Sequence, residues 1–256
     1  MPILSTIGAA SSRAYGFGGY TLVAGNSGVL TSGTTYTLPL TSGTQVKIIC
    51  IGGGGGGGGG SSRPIQTNGA GGGGADIRYT TVQVTPGETI TYSIGAGGAA
   101  GGARDGPFSS GQSGGPGATS SVTVRSSTVL NAPAGGGGEV ARLDSTPSTG
   151  GYAGSGGTGT QILTPNAGSN GNVTGGVGSG GASARGYSIN TTVGATTVAS
   201  YGAVGAGGIG QSNSSGQTGT TYGGGGGGGG NNGTNNLAGM NPAPGATGIV
   251  FIYWGY

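Results

Sequence analysis

The sequence predicts a mainly β fold, in which a small antiparallel β-sandwich or sheet assembly is combined with a bundle of polyglycine II helices, with almost no α-helix. Three observations predict it. Glycine supplies 72 of the 256 residues, against an average share of about 7%. An apolar run at residues 46–51 passes directly into nine glycines at 52–60. Further glycine runs follow at 71–74, 135–138 and 223–230, each beside small or apolar residues.

The glycine runs look at first like linkers, because glycine loses more backbone freedom on ordering than any other residue. A left-handed helix with three residues per turn has no internal hydrogen bonds and must find partners in neighbouring chains. Without Cβ atoms, such helices can approach closely enough to hydrogen-bond side by side. Nine residues at about 3.1 Å each give a rod of about 28 Å. We therefore expect residues 52–60 to be ordered, outside helix and strand, and bonded to other glycine runs.

Composition excludes several other classes. Collagen is excluded because no Gly-X-Y period persists and proline numbers only 11. Only 5% of residues are charged, whereas charge-rich chains are most easily kept disordered. The net charge of +3 comes from single, scattered residues, so there is no basic stripe for nucleic acid. A single cysteine, Cys50, excludes an intrachain disulfide.

The strands of the first half follow a period of two. Tyr36, Leu38 and Leu40 alternate with small or polar residues, which is typical of a half-buried strand. Residues 46–51 are apolar on both faces and should be central, with Cys50 as a small core residue. Residues 79–94 alternate on either side of Thr-Pro-Gly-Glu, which has proline and glycine where a type II turn favours them. This segment predicts a β-hairpin.

Strand signals return later in the chain at 121–124, more weakly at Val129 and Leu130, and at the apolar C-terminal run 249–254. We expect this last strand to close a sheet that begins near residue 36. Small-residue rods alternate with polar excursions, which fall at 61–70, 103–113, 139–149, 160–170, 187–201, 211–222 and 231–244.

Two regions follow from this pattern. Residues 25–256 form one glycine-rich domain that carries the excursions, and residues 1–24 form an apolar N-terminal segment. That segment either packs on its own domain or docks on a partner. Its docking candidates are the apolar and aromatic side chains Ile3, Leu4, Ile7, Tyr15, Phe17 and Tyr20. No signal peptide and no membrane-inserting segment are expected, since the first residues lack a basic region and a long apolar run.

Five motifs occur in the order YTLP, VKIICIGGGGGGGG, VTPGETITYSIGAGG, GGPGATSSV and GATGIVFIYW. In this order they resemble the glycine-rich domain of bacteriophage tail-fibre and adhesin proteins, from about residue 34 to the C-terminus. More distantly, the rods and excursions resemble the tip adhesins of T-even-type phages. The resemblance implies a virion tail location and host recognition. It also implies two partners, namely other tail proteins and a host receptor, either a glycan or an outer-membrane protein. A homotrimer, or attachment to a trimeric fibre, stays open.

Catalysis is not expected, because the chain has no histidine and its five acids form no paired motif. No metal ligand set, cofactor site or nucleotide loop is predicted either. Binding by loops on a rigid scaffold is the favoured interpretation. The receptor-binding candidates are charged or aromatic residues of the excursions: Arg63, Arg104, Asp105, Phe108, Glu139, Arg142, Asp144, Tyr187, Tyr201 and Tyr222.

Three alternatives to receptor binding stay open. Single tyrosines among Tyr152, Tyr187, Tyr201 and Tyr222 could instead cover rod ends against water. The whole chain could be a purely structural tail or decoration protein. It could also bind ice, which would need a flat face of regularly spaced threonine or alanine.

Overall fold

The computed structural model describes residues 27–61, 68–103, 111–142, 148–171, 188–193, 196–203, 215–219, 222–230 and 239–254. This part of the chain contains eleven β-strands and no helix. In chain order the strands are β1 Ser27–Leu30, β2 Thr35–Thr37, β3 Gln45–Ile51, β4 Ile77–Gln83, β5 Thr89–Ser93, β6 Ser120–Val124, β7 Ser127–Ala132, β8 Thr160–Leu163, β9 Ser188–Val193, β10 Thr196–Ala203 and β11 Ile249–Trp254.

The larger sheet has five strands in the order β1-β11-β3-β4-β8, all antiparallel. The predicted central position of residues 46–51 is confirmed, since β3 lies between β11 and β4. Both faces of β3 and β11 are buried, which explains why their sequences show apolar runs rather than alternation.

The second sheet has four strands in the order β2-β5-β6-β7, again antiparallel. The sheets pack through their inner faces, where every second residue of β3, such as Ile48, meets residues such as Ile90 and Val122. Cys50 belongs to this core, as predicted, and burial raises its pKa to about 12. The predicted antiparallel sandwich is thus confirmed.

The predicted hairpin at 79–94 is wrong, although its turn is right. Glu88 N donates to the Thr85 carbonyl at 2.9 Å, and Gly87 has a φ of 80°. The flanking strands nevertheless do not pair: β4 joins the five-stranded sheet and β5 the four-stranded one. The turn carries the chain from one layer of the sandwich to the other.

Three further expectations are corrected by the strand order. Leu40 is 81% exposed rather than aligned with buried Leu38, because β2 ends at Thr37. β11 does not close the sheet containing β2; it pairs with β1 and β3. The expected excursion 160–170 begins with strand β8, and 187–201 contains most of the paired strands β9 and β10.

The remaining described chain consists mostly of extended segments outside helix and strand, here called rods. Each bonds laterally to other rods rather than to itself. The rods are, in chain order, rod 1 (52–61), rod 2 (68–76), rod 3 (95–103), rod 4 (111–119), rod 5 (133–142), rod 6 (148–157), rod 7 (164–171), rod 8 (215–219), rod 9 (222–230) and rod 10 (239–248).

Rod 1 donates hydrogen bonds to three neighbours in turn. Gly53 N, Gly56 N and Gly59 N donate to rod 4, at Ala118, Gly115 and Gln112. The residues between them donate in the same three-residue step to rods 2 and 10. In all three pairings the partner numbers fall as the rod 1 numbers rise, so rods 2, 4 and 10 run antiparallel to rod 1.

Rod 1 accepts hydrogen bonds from three other neighbours. Its carbonyls at 53, 56 and 59 accept from rod 5, at Gly135, Gly138 and Ala141. Rods 3 and 9 donate to it in the same step and, like rod 5, run parallel to it. A three-residue step is the repeat expected of polyproline II-type helices.

The six neighbours of rod 1 bond to one another as well, in the closed ring 3-4-5-2-9-10. Parallel and antiparallel rods alternate around this ring. Every backbone N–H from 52 to 60 has a partner on another rod, and none of these glycines has a φ between +20° and +160°. The expectation that residues 52–60 lie outside helix and strand and are bonded to other glycine runs is confirmed.

The chain path places the sandwich at one end of this bundle. Strands β3, β5 and β7 pass into rods 1, 3 and 5, while rods 2, 4 and 10 pass into β4, β6 and β11. The connections 62–67, 104–110, 143–147 and 231–238, which lie outside the described residues, therefore begin and end at the opposite end of the bundle, called here the distal end.

Candidate functional site

The distal end gathers the ends of the eight rods that these four connections join, at residues 61, 68, 103, 111, 142, 148, 230 and 239. Gly171 at the end of rod 7 also pairs there with Ser148. Half of the predicted receptor-binding residues fall in the connections between these ends and so lie outside the described residues. They are Arg63, Arg104, Asp105, Phe108 and Asp144.

Glu139 and Arg142 are described, and they occupy the distal part of rod 5. Glu139 is held by its backbone as part of the rod, since its N–H donates to the Thr149 carbonyl at 2.9 Å and its carbonyl accepts from Ala70 N at 3.0 Å. Its carboxylate accepts from Arg142 Nη2 at 2.6 Å and Arg142 Nε at 2.9 Å. The second carboxylate oxygen accepts from Thr149 N at 2.8 Å.

These contacts set the charge of the Glu139 carboxyl. Partial burial raises the pKa of this carboxyl. The hydrogen bonds from Arg142 and Thr149 together lower it by more than burial raises it, so the net pKa lies below the ordinary value of 4.5. The distal end of rod 5 therefore presents a carboxylate paired with a guanidinium at neutral pH.

Among the predicted tyrosines, Tyr222 is the one whose surroundings the structure describes. Tyr222 lies at the sandwich end of rod 9, where it packs against the outer apolar cluster of the five-stranded sheet, with Phe251 and Tyr253. This position agrees with the alternative that a tyrosine covers a rod end. Tyr201 lies in β10. Tyr187 and the six docking candidates of the N-terminal segment lie outside the described residues.

Tyr152 is an exposed aromatic that sequence reasoning placed only among possible rod covers. It lies on rod 6 and is 67% exposed. Its ring rests on rod 5 at Gly136, where a Cβ would overlap the ring. The signal in the sequence is the step of three from Thr149 to Tyr152, which puts both side chains on one side of a rod.

A row of side chains follows from this three-residue step. Gly136 N donates to the Tyr152 carbonyl at 2.8 Å, and three residues further Glu139 N donates to the Thr149 carbonyl. Gly136, Glu139 and Arg142 therefore share one side of rod 5, beside Tyr152 and Thr149 on rod 6. We call these five residues the rod 5/6 seam. It carries an aromatic face at one end and an ion pair at the distal end.

Comparison with protein families identifies the group to which this architecture belongs. A family model described as "Glycine-rich domain" matches residues 9–255. The chain belongs to this glycine-rich domain family. A search of curated proteins finds no match.

Elsewhere in this glycine-rich domain, a second charge pair is buried and has a structural role. Asp76 accepts from Arg78 Nε at 2.6 Å and from Gln161 at 2.8 Å, while Arg78 also donates to the Gly159 carbonyl. Asp76 is fully buried at the junction of rod 2 and β4. Through Arg78 in β4 and Gln161 in β8, the Asp76 carboxylate links these two strands. This link explains why a charged residue lies at the junction of a rod and a strand.

Within the described ranges, no three acidic, histidine or cysteine side chains gather as a metal ion would require. No helix among these same residues is long and apolar enough to cross a membrane.

Proposed function

We propose that this glycine-rich domain is a component of a bacteriophage tail and acts as a host receptor-binding adhesin, in which a rigid rod bundle presents variable loops. The observation that carries the proposal is the convergence of four rod-to-rod connections on the distal end. Recognition usually resides in loops held by a rigid scaffold. The connections supply half of the predicted charged and aromatic contact residues, whereas the rods between them are mostly glycine and other small residues.

The scaffold is suited to this role because its stiffness does not depend on the connections. Each lateral hydrogen bond contributes about 1 kcal/mol net, and rod 1 alone makes nine as donor. The ends of each connection are thereby fixed in space. Connections of different sequence can replace one another without disturbing the bundle.

The N-terminal segment 1–24 is the proposed attachment to other tail proteins, through Ile3, Leu4, Ile7, Tyr15, Phe17 and Tyr20. The receptor is a host glycan or outer-membrane protein. No nucleic acid, cofactor or catalytic step belongs to the proposed function.

The test is adsorption and competition with purified full-length protein. It should bind susceptible bacteria and block infection by the parent phage. Replacing residues 143–147 with a Gly-Ser segment of equal length should abolish or redirect binding. The matched control is Arg125→Asn together with Ser126→Gly, in the β6–β7 turn at the far end of the sandwich. This control should bind like the parent protein.

Folded protein that neither binds nor competes would refute the adhesin proposal. If antibodies nevertheless locate it in the virion, the alternative of a purely structural tail or decoration protein would be supported instead.

A second candidate function, ice binding, is favoured by one observation on the four-stranded sheet. Its outward face consists mainly of hydroxyl side chains, and a row of Thr35, Thr91, Thr123 and Thr128 crosses all four strands in register. Neighbouring rows are about 6.8 Å apart along a strand and neighbouring strands about 4.8 Å apart. Ice binding would require a regular threonine face, and a register shift between Val122 and Thr123 interrupts this one between β6 and β7.

Thermal hysteresis and inhibition of ice recrystallisation test this second candidate. Thr91→Lys should abolish both, while Thr81→Lys, at an exposed position of the other sheet, should preserve both. Absence of either effect in the unmodified protein would exclude ice binding.

A further inference from the structure

We propose that the rod 5/6 seam binds a saccharide chain of the host receptor, with Tyr152 as its stacking platform and Glu139 and Arg142 as its polar end. The inference rests on the proposed adhesin function and assigns the receptor contact to the side of the bundle as well as to the distal connections. No catalytic or lectin motif is involved. The placement of the side chains carries the inference.

The platform is built into the rods. Tyr152 is 67% exposed, yet its ring is seated on Gly136, a position that no other residue type could occupy without displacing it. A ring that already rests on the rod has less freedom to lose when a ligand binds than a fully solvated side chain would, so binding costs less entropy. Tyrosine offers a large, rigid contact area with a polar tip. The C–H face of a sugar ring is a suitable partner for such a surface.

The polar end lies along the same seam. Two three-residue steps separate Gly136 from Arg142, which is about 19 Å at 3.1 Å per residue. Glu139 lies halfway, about 9 Å from the platform. Carboxylate and guanidinium groups make charge-assisted hydrogen bonds, and sugar hydroxyls can both donate and accept. The pair is partly exposed, with 42% of the Arg142 side chain and 31% of the Glu139 side chain accessible.

The exposed ion pair can adapt to a ligand. Pairs of this kind contribute about 0–1 kcal/mol to stability, so a ligand that replaces one of their bonds meets little resistance. Thr149, which is exposed beside Glu139, adds a hydroxyl to the seam. The seam thus offers one apolar face followed by several hydrogen-bonding groups in a line.

A saccharide chain fits this surface better than a protein. A stable protein partner covers about 800 Å² on each side and uses clusters of apolar anchors. The seam is a narrow strip with one aromatic ring, and the rod positions around it are mainly glycine, serine and threonine. A thin ligand with a hydroxyl-rich edge and an apolar face matches the strip in both shape and chemistry.

The experiment is calorimetric titration of the full-length protein with cellohexaose, chitohexaose, maltohexaose and an oligosialic acid, each at millimolar concentration. At least one should bind. Tyr152→Ala should weaken that binding about tenfold, since the loss of an aromatic contact is of this order. Tyr152→Phe should retain it, and Glu139→Gln should weaken it. Leu40→Ala, at a residue 81% exposed on the sandwich, is the control and should change nothing.

Several results would overturn the inference: no binding of any of the four saccharides, or equal binding by Tyr152→Ala with an unchanged melting temperature. A bacterial adsorption assay separates this failure from that of the proposed function. Adsorption that persists in Tyr152→Ala would refute the seam as the receptor contact while the adhesin proposal stands. Saccharide binding without any adsorption would refute the adhesin proposal instead. Adsorption abolished by protease treatment of the cells would point to a protein receptor and count against the saccharide.

Discussion

Gly56 lies at the middle of rod 1, where the backbone of one rod touches that of the next. A Cβ at this position would overlap the carbonyl of Ala99 on rod 3. We expect Gly56→Ala to lower the free energy of unfolding by about 3 kcal/mol or more, because overpacking costs about 1–3 kcal/mol and the displaced rods also lose lateral bonds of about 1 kcal/mol each. The melting temperature should fall by about 6–12 °C.

The control for this prediction is the same substitution where a rod faces open space. A Cβ at Gly102 on rod 3 would have its nearest neighbour at 3.7 Å, which is ordinary contact. Gly102→Ala should therefore be neutral, or stabilise by about 0.4–1 kcal/mol through the unfolded chain. Equal melting temperatures for the two variants would contradict the role of glycine as the contact surface of the bundle.

At the scale of elements, the turn between β4 and β5 is tied to the β6–β7 hairpin by a charge pair. Glu88 accepts from Thr85 N at 2.8 Å and from Arg125 Nε and Nη2 at 2.9 and 2.8 Å. The backbone bond from Thr85, followed by the Arg125 contacts, lowers the Glu88 pKa below its ordinary 4.5. Glu139 is shifted in the same direction.

A depressed carboxyl pKa makes stability depend on pH in a defined direction. Between the folded and unfolded pKa values the unfolded chain binds more protons, so stability rises with pH there. The contribution is fully present above about 4.5 and is lost as pH falls through the folded pKa. Thermal melts between neutral and strongly acid pH should show this loss. In Glu88→Gln it should be smaller by up to about 1 kcal/mol, since Arg125 is exposed. An identical acid profile in both proteins would contradict the assignment.

The same turn shows how far the sequence predicts the fold. Pro86 and Gly87 specify a reversal of the chain through local backbone preferences, and that prediction was correct. Which strand each arm then pairs with is decided by distant segments, such as β8 for β4 and β6 for β5, and such long-range pairing leaves no local pattern in the sequence. The strand Ser27–Leu30 has too little alternation to be recognised, yet it forms the sheet edge through its pairing with β11.

The candidate site was predictable to a similar degree. The glycine runs at 52–60, 71–74, 135–138 and 223–230 predicted rods 1, 2, 5 and 9, but rod 7, with the sequence TPNAGSNG, is mostly not glycine. A rod at the edge of the bundle needs a small residue only where it faces another rod, so its outer positions can be polar and resemble a loop. For the same reason Glu139 was assigned to an excursion although it belongs to rod 5. The seating of Tyr152 depends on which rods are neighbours.

In the whole molecule, the β-sandwich and the rod bundle are joined because the same chain segments continue from one into the other. Rod 1 is the direct continuation of β3, which is itself central in the five-stranded sheet. Rods 2, 3, 4, 5 and 10 are joined in the same way to strands of both sheets. If the bundle opened while the sandwich stayed folded, the six rods around residues 52–60 would lose their lateral hydrogen bonds. We therefore expect sandwich and bundle to unfold as one cooperative unit.

Native-state hydrogen exchange tests this expectation. The amides of residues 53–59, each bonded to another rod, should exchange as slowly as those of Ile48 and Cys50 in β3, at a rate set by global unfolding. Glycine amides in a flexible segment would exchange many orders of magnitude faster. The internal comparison is rod 3, whose outer residues Ala99 and Ala100 are exposed and should exchange earlier. Fast exchange across rod 1 with a protected β3 would show that the bundle opens separately, and the rigid scaffold on which both proposals depend would be lost.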